Sequence, residues 1–303
     1  MSSSLFSQYK VDENNTVHVC HWKKIEKEIC QKGDFIDWFS AAKNKKIETM
    51  RALGPRFYCE SGSYYDMQRS GGTLGAQGSL LDNLTGGTGN DSFNVDSAYD
   101  TVNDLGGSSG SESDIVIVKN VALLNAINIL SFTATNASSN AGTATFTAKN
   151  GVDSTINLLL VTGSGTFFIN GSDGSDTIVA SAQGATITGG AGDDIITGGA
   201  GVDTIDGSGG DDIITIAAAG KGDTDVMDGG ANDDVLQLST GAHTFADDDK
   251  LKNIEEVKTN SSGSEVVLTA QTEALKITGG AGVDKITGGA GVDTIDGSGG
   301  DDI

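Results

Sequence analysis

The sequence predicts a mainly β protein: a parallel β-roll, or β-solenoid, with flanking β-strands and a small N-terminal helical segment. Three observations carry that prediction. Glycine- and aspartate-rich units recur every nine residues through much of the 303-residue chain. Isolated Ile, Val or Leu residues keep a fixed place within those units. The composition also splits near residue 71, with all three cysteines, both tryptophans and Pro55 lying before it. A unit of nine residues is too short to bury a core alone, so a run of such units is stable only when stacked.

Residues 1–70 hold eleven basic and nine acidic side chains and read as a small helical segment of unassigned role. A first helix would carry Trp22, Ile25 and Ile29 and end at Gly33. A second would be capped by Asp34, would place Ile36, Phe39, Ile47 and Met50 at helical spacing, and would stop at Gly54-Pro55. Residues 71–170 read as a β-rich region with one isolated repeat, and 171–237 as a cation-binding roll. Residues 238–278 form a β-rich connector, and 279–303 begin a second roll that breaks off mid-unit. Strands are expected at 115–118 (IVIV), 143–148 (TATFTA), 156–161 (INLLLV) and 265–269 (EVVLT).

Of the formal charge of −23, residues 71–303 contribute eight basic and thirty-three acidic side chains, or −25. Such a surface repels phosphate backbones and anionic lipid and favours bound cations. An acidic segment poor in aromatics can also be disordered, but the regular apolar spacing argues against that. No apolar run reaches transmembrane length, so no membrane insertion is expected. The start MSSSLFSQYKVDENN lacks the basic and apolar regions of a cleaved signal. Three cysteines at one end describe no disulfide framework.

The nine-residue units are GGTGNDSFN at 86–94, GSDGSDTIV at 171–179, a degenerate unit at 180–188, GGAGDDIIT at 189–197, GGAGVDTID at 198–206 and GSGGDDIIT at 207–215. After the spacer 216–219 come GKGDTDVMD at 220–228 and GGANDDVLQ at 229–237; GGAGVDKIT at 279–287 and GGAGVDTID at 288–296 lead into a final partial unit. Residues 184–213 match 274–303 at twenty-five of thirty positions, a 90-residue duplication whose second copy stops where the first continues. This suggests a piece of a longer array.

Within a unit the first six residues cannot be regular strand. Closely spaced glycines let the backbone take positive φ in a tight turn and expose carbonyl oxygens. The glycines concerned are Gly189, Gly190 and Gly192, then Gly198, Gly199 and Gly201. Gly207 and Gly209 serve the next turn, and Gly279, Gly280 and Gly282 a later one. The sixth residue adds a carboxylate: Asp91, Asp176, Asp194, Asp203, Asp212, Asp225, Asp234, Asp284, Asp293 and Asp302. Carbonyl and carboxylate oxygens together are hard ligands that suit calcium and not zinc or copper. The eighth residue, Ile178, Ile187, Ile196, Ile205 or Ile214, sits mid-strand and is expected to point inward.

If turn and strand alternate, two units make a coil of eighteen residues, and turns two units apart stack on one side. Asp176 then pairs with Asp194, Asp194 with Asp212, and Asp284 with Asp302. Asp203 and Asp293 fall on the other side, where their neighbours are degenerate or missing, so incomplete or empty sites are expected there. For Asp91 no well-formed unit stacks two positions away, and a metal site and a bare turn both remain open.

These units resemble the RTX family, the hemolysin-type calcium-binding nonapeptide repeat. The resemblance covers 86–94, 171–237 and 279–303 and does not extend to 1–70. It implies a parallel β-roll with calcium in the turns, folding coupled to calcium, and export by type I secretion through a carboxy-terminal signal. It thus implies a secreted or cell-surface location. The Thr- and Ala-rich stretches and KLKNIEEV at 250–257 resemble surface-layer proteins and adhesins of that family, with self-association or cell-surface components as partners.

Other chemistries fit poorly. His18, Cys20, His21 and Cys30 match no closed zinc-site spacing. Gly106-Gly107-Ser108-Ser109-Gly110 has the form of a nucleophile elbow but no strand-to-helix context, and His243 is the one histidine downstream. No His-Glu-x-x-His protease motif is present. The expected role is therefore a calcium-stabilised structural or adhesive module with no catalytic residues. The alternative is the non-catalytic roll of a secreted RTX enzyme or toxin.

Overall fold

The computed structural model describes residues 83–86, 89–95, 99–103, 105–107, 112–216, 224–260 and 262–303. It also describes the backbone of short strands at Ser7–Val11, Val17–His21, Ile36–Asp37, Asp66–Gln68 and Gly72–Gly75. The strand at Ile36–Asp37 takes the place of the expected start of a second helix and pairs antiparallel with Ser7–Val11. Helical spacing of a few apolar residues does not outweigh β-branched Ile36 once a partner strand is available. The remainder of both expected helices lies outside the described residues.

From Asp66 onward the chain winds as a parallel β-solenoid. Ten strands, from Asp66–Gln68 through Thr166–Asp173, Ala185–Ala191 and Thr204–Gly209 to Leu251–Lys252, build one sheet. A second sheet of nine strands runs from Ser131–Thr133 through Thr177–Val179, Ile195–Thr197 and Ile213–Ile216 to Thr294–Asp296. Between residues 166 and 216 each coil gives one strand to each of these sheets. Thr177–Val179 pairs with Ile195–Thr197, and that strand with Thr215 and its neighbours, in steps of eighteen residues. The coil inferred from two nonads is thus the coil observed.

Elsewhere a third strand enters the coil. Ile115–Val118, Ser139–Asn140 and Thr162–Gly163 belong to a third sheet, and Gly241–Thr244, Ser264–Val267 and Lys285–Thr287 to a fourth. The expected strands at 115–118 and 143–148 are present, and the one near 265 runs over Ser264–Val267. The expected strand 156–161 stops at Asn157, because a three-sided coil needs a corner there: Leu158 and Val161 stay buried while Leu159 and Leu160 face solvent. Among the described residues one turn of 3-10 helix, Asp248–Lys250, is the sole helical element. No described helix is long and apolar enough to cross a membrane.

The core follows the width of the coil. In the narrow two-stranded coils Ile178, Ile187, Ile196, Ile205 and Ile214 are buried and stack in register along the axis. The wider three-stranded coils are filled by larger side chains, including Phe132 and Phe146, whose rings stack with centroids 6.1 Å apart. A larger cross-section needs bulkier residues to reach interior packing density.

Candidate metal site in the turns

Four successive turns link the first sheet to the second on one edge of the roll: 171–176, 189–194, 207–212 and 229–234. Each takes positive φ at its second and fourth residues. These are Ser172 (75°) and Gly174 (121°), Gly190 (124°) and Gly192 (119°), Ser208 (75°) and Gly210 (137°), and Gly230 (107°) and Asn232 (92°). Alternating handedness coils the backbone so that successive turns nest, and the N–H groups of Gly174, Gly192 and Gly210 donate to the carbonyls of Ala191, Gly209 and Ala231 in the turn above. Glycine, serine and asparagine recur at these places because few other residues tolerate this region.

At the end of each turn the sixth residue is turned inward. Asp176, Asp194, Asp212 and Asp234 are essentially inaccessible to solvent. Oδ1 of each accepts a backbone N–H from the turn below: Ser154 N at 2.6 Å from Asp176, Asp176 N at 2.7 Å from Asp194, Asp194 N at 2.8 Å from Asp212, and Asp212 N at 2.8 Å from Asp234. The pairs expected from eighteen-residue stacking, Asp176 with Asp194 and Asp194 with Asp212, are thus adjacent rungs of one ladder. Asp284 accepts from Ser264 N and its own N–H donates to Asp302, the third expected pair.

The second oxygen differs. Oδ2 of Asp176, Asp194, Asp212 and Asp234 is buried and has no hydrogen-bond partner. Each lies against the first glycine of its own turn, in a space that a Cβ would fill. A methyl group on Gly171 would lie 2.8 Å from Asp176 Oδ2 and would collide with Gly189 O. One on Gly189 would meet Asp194 Oδ2 and lie 2.7 Å from Gly207 O; one on Gly207 would meet Asp212 Oδ2 and Gly229 O. Each cradle therefore brings a lone carboxylate oxygen and a carbonyl oxygen of the next turn to one small volume. Buried acceptors with no donor call for a cation or a proton.

Burial pushes all four carboxyls up to about 6, and the charge of the neighbouring rungs adds to the rise for Asp194, Asp212 and Asp234. Among the described residues no three His, Cys, Asp or Glu side chains converge on one point. A cation here would have to take most of its ligands from backbone carbonyls beside the one carboxylate, an all-oxygen donor set that fits calcium.

The other predicted site residues fall into different settings. Asp203 lies on the opposite edge, where its Oδ1 accepts from Ala185 N and its N–H donates to Asp225 Oδ1 at 3.0 Å. The nearest groups around the Gly198 cradle there are Asp203 Oδ2 and the Ile205 methyl. In the turns at 279–284 and 288–293, Asp284 Oδ2 and Asp293 Oδ2 accept the N–H of Gly280 and Gly289, so the open oxygen is closed by the turn itself. Of the remaining turn glycines, Gly199 has φ of 94°, Gly201 packs against the backbone at Gly184, and Gly282 packs against Gly263.

Two features escape the repeat pattern. Asp91 N donates to Asp114 Oδ1 at 2.8 Å, and Gly106 N to Asp114 Oδ2 at 2.8 Å, so a buried Asp twenty-three residues on completes the rung. Gly106-Gly107 followed by Asp114 and buried Val116 is an expanded unit, a signal hidden by its changed length. A second ladder runs outside the first: Asp211 N donates to Asp193 Oδ1 and Asp233 N to Asp211 Oδ1, all exposed. His18, Cys20 and His21 lie on the strand Val17–His21, while Cys30 and Ser108 lie outside the described residues. His243 is buried with Nε2 2.9 Å from Ser239 O.

The family model of the RTX calcium-binding nonapeptide repeat matches the chain in four copies, over residues 81–102, 182–214 and 276–303. No curated protein matches the chain, and no solved structure does. The matched segments hold the turns at 189–194 and 207–212, two of those with the open cradle, and RTX nonapeptides are calcium-binding motifs. The chain is thus a bearer of RTX calcium-binding nonapeptide repeats, folded as a parallel β-solenoid.

Proposed function

We propose that the turns at 171–176, 189–194, 207–212 and 229–234 hold a row of calcium ions and that the roll is a calcium-stabilised structural module outside the cell. The observation that carries this reading is the row of buried, unpartnered Oδ2 atoms on Asp176, Asp194, Asp212 and Asp234, each beside a cradle that a Cβ would fill. In this reading the Asp carboxylates and the turn carbonyls are the ligands, and the ion neutralises a file of carboxylates that would otherwise repel one another. With one apolar side chain per nine residues the core is thin, so ligand binding to the folded state alone makes a large difference to its stability. Low calcium leaves the roll loose; high calcium, as found outside cells, orders it.

A surface-layer or adhesive role after export suits a long acidic solenoid with no assigned catalytic residues. The second reading is the non-catalytic roll of a secreted RTX enzyme or toxin, favoured by the same repeats and by the unassigned first seventy residues. Far-UV circular dichroism of the chain during calcium and magnesium titrations tests the shared part. The expected result is a gain of β signal with calcium and little with magnesium. Identical responses to both cations, or none, would remove calcium from the account. Where calcium does order the roll, calcium-dependent self-association favours the adhesive role over the second reading.

A further inference from the structure

We propose that the fifth residue of a turn decides whether that turn can take calcium. A short polar side chain, as at Ser175, Asp193, Asp211 and Asp233, holds the turn open; valine, as at Val202, Val283 and Val292, leaves it without an ion. These are positioning residues outside the ligand set. The inference rests on the reading that the open turns hold calcium, and it gives a role to a position that supplies no ligand in that reading.

Four turns make the comparison within one molecule. Residues 189–194 read GGAGDD, and 198–203, 279–284 and 288–293 all read GGAGVD, so within the turn the fifth residue is the one difference. In the first, Gly190 and Gly192 take φ of 124° and 119°; of the glycines in the other three, Gly199 alone takes positive φ. The consequence falls on the ligand oxygen. Asp194 Oδ2 has no hydrogen-bond partner, whereas Asp284 Oδ2 accepts Gly280 N at 2.8 Å and Asp293 Oδ2 accepts Gly289 N at 2.9 Å. The cradle of 198–203 presents the Ile205 methyl where Gly207 O faces the Gly189 cradle. The turn 297–302, GSGGDD with Asp301 fifth, takes positive φ at Ser298 (64°) and Gly300 (140°) although it stacks on the turn that carries Val283. Conformation thus follows a turn's own fifth residue and not its neighbour's.

Two effects act in the same direction. Valine is β-branched and draws the chain towards extended conformations, while Asp and Ser tolerate the tight turn. The polar side chain also adds an outer bond: Ser175 Oγ accepts Asp193 N at 3.2 Å, Asp193 Oδ1 accepts Asp211 N at 2.9 Å, and Asp211 Oδ1 accepts Asp233 N at 3.1 Å. These bonds tie turn to turn beside the buried ladder and fix the distance from each open Oδ2 to the carbonyl of the turn above. Valine offers no acceptor, and beneath Val202 and Val283 lie Gly184 and Gly263, which have no side chain to offer one. Val202, Val283 and Val292 are all more than half exposed, so packing in the core does not account for them.

Native mass spectrometry of the full chain over a calcium chloride series counts the bound ions. Asp193→Val gives the turn 189–194 the sequence of the closed turns and should lose at least one calcium. Asp193→Ser removes the charge but keeps an acceptor oxygen, as Ser175 has, and should keep the parent count. A parent count in Asp193→Val would overturn the proposal. So would equal losses in both variants, since charge alone would then explain the effect. If Asp193→Val loses its β signal in calcium, the reverse change decides. At 279–284 Gly297 O and Asp284 Oδ2 already flank the Gly279 cradle, so Val283→Asp should bind one calcium more than the parent, and an unchanged count would overturn the proposal. A parent chain that binds no calcium defeats the underlying reading first, which separates the two failures.

Discussion

Replacing Asp194 by Asn should stabilise the roll without calcium and destabilise it with calcium. Asn keeps an oxygen to accept Asp176 N, so the ladder bond at 2.7 Å survives. It removes an ionised group whose carboxyl is pushed up to about 6 from 3.8 by burial. For an acid whose folded pKa is raised, stability is fully present below 3.8 and is lost as pH rises through 6. At pH 7.5 the folded state therefore carries the whole cost of ionisation. That rise corresponds to about 3 kcal/mol; water at the open side of the turns screens part of this, leaving roughly 1–2 kcal/mol. In chelator, Asp194→Asn should gain that amount. In calcium it loses the anionic oxygen facing the Gly189 cradle. A site at a hundredfold excess of ligand contributes about 2.7 kcal/mol, so after the gain from the lost charge the variant should fall below the parent by roughly 1–2 kcal/mol. Urea midpoints followed by circular dichroism in chelator and in millimolar calcium measure both. A shift of the same sign in the two conditions would refute the reasoning.

Ile196 lies fully buried between Ile178 and Ile214, so Ile196→Ala should cost about 2–4 kcal/mol, read as a lower urea midpoint in calcium and chelator alike. Gly190 has φ of 124° and a Cβ there would run into Ser172 O, so Gly190→Ala should cost about 2 kcal/mol or more whether or not calcium is present. Burial raises Asp176, Asp194, Asp212 and Asp234 to about 6, so the metal-free roll should gain stability as pH falls from 7.5 to 4.5. Calcium must displace those protons, so its midpoint in the dichroism titration should rise steeply below pH 6. A midpoint flat between pH 7.5 and 5 would show that these carboxylates are not ligands.

The two-stranded roll was legible in the sequence because its period is fixed. Each coil of eighteen residues repeats one inward Ile per strand and one Asp per turn, so Ile178, Ile196 and Ile214, and Asp176, Asp194 and Asp212, line up by counting alone. Counting fails where a coil changes length. Asp114 stacks on Asp91 at twenty-three residues and Asp234 on Asp212 at twenty-two, since a third strand or a spacer enters the coil. The acceptor that continues the ladder beyond Asp234, Glu255 Oε2 at 2.7 Å from Asp234 N, was not legible because both the turn length and the residue type change together. The fifth residue of the turn, which the repeat reading left free, tracks open and closed cradles: it is Ser175, Asp193, Asp211 and Asp233 in the open turns and Val283 and Val292 in the closed ones. The turns at 189–194 and 279–284 read GGAGDD and GGAGVD, and Asp194 Oδ2 is left without a donor while Asp284 Oδ2 accepts Gly280 N. The difference lies in the backbone, where Gly190 and Gly192 take positive φ. At the N-terminus, a few residues at helical spacing outweighed the β-branched character of Ile36, which pairs as a strand.

The central claim is that calcium sits in the inner row and not on the exposed carboxylates outside it. Crystals grown in calcium, with anomalous diffraction collected at a wavelength where calcium scatters strongly, locate the ions directly. The expected map has peaks beside Asp194 Oδ2 with Gly207 O and beside Asp212 Oδ2 with Gly229 O. Peaks confined to the outer ladder of Asp193, Asp211 and Asp233, or an inner row without peaks, would contradict it.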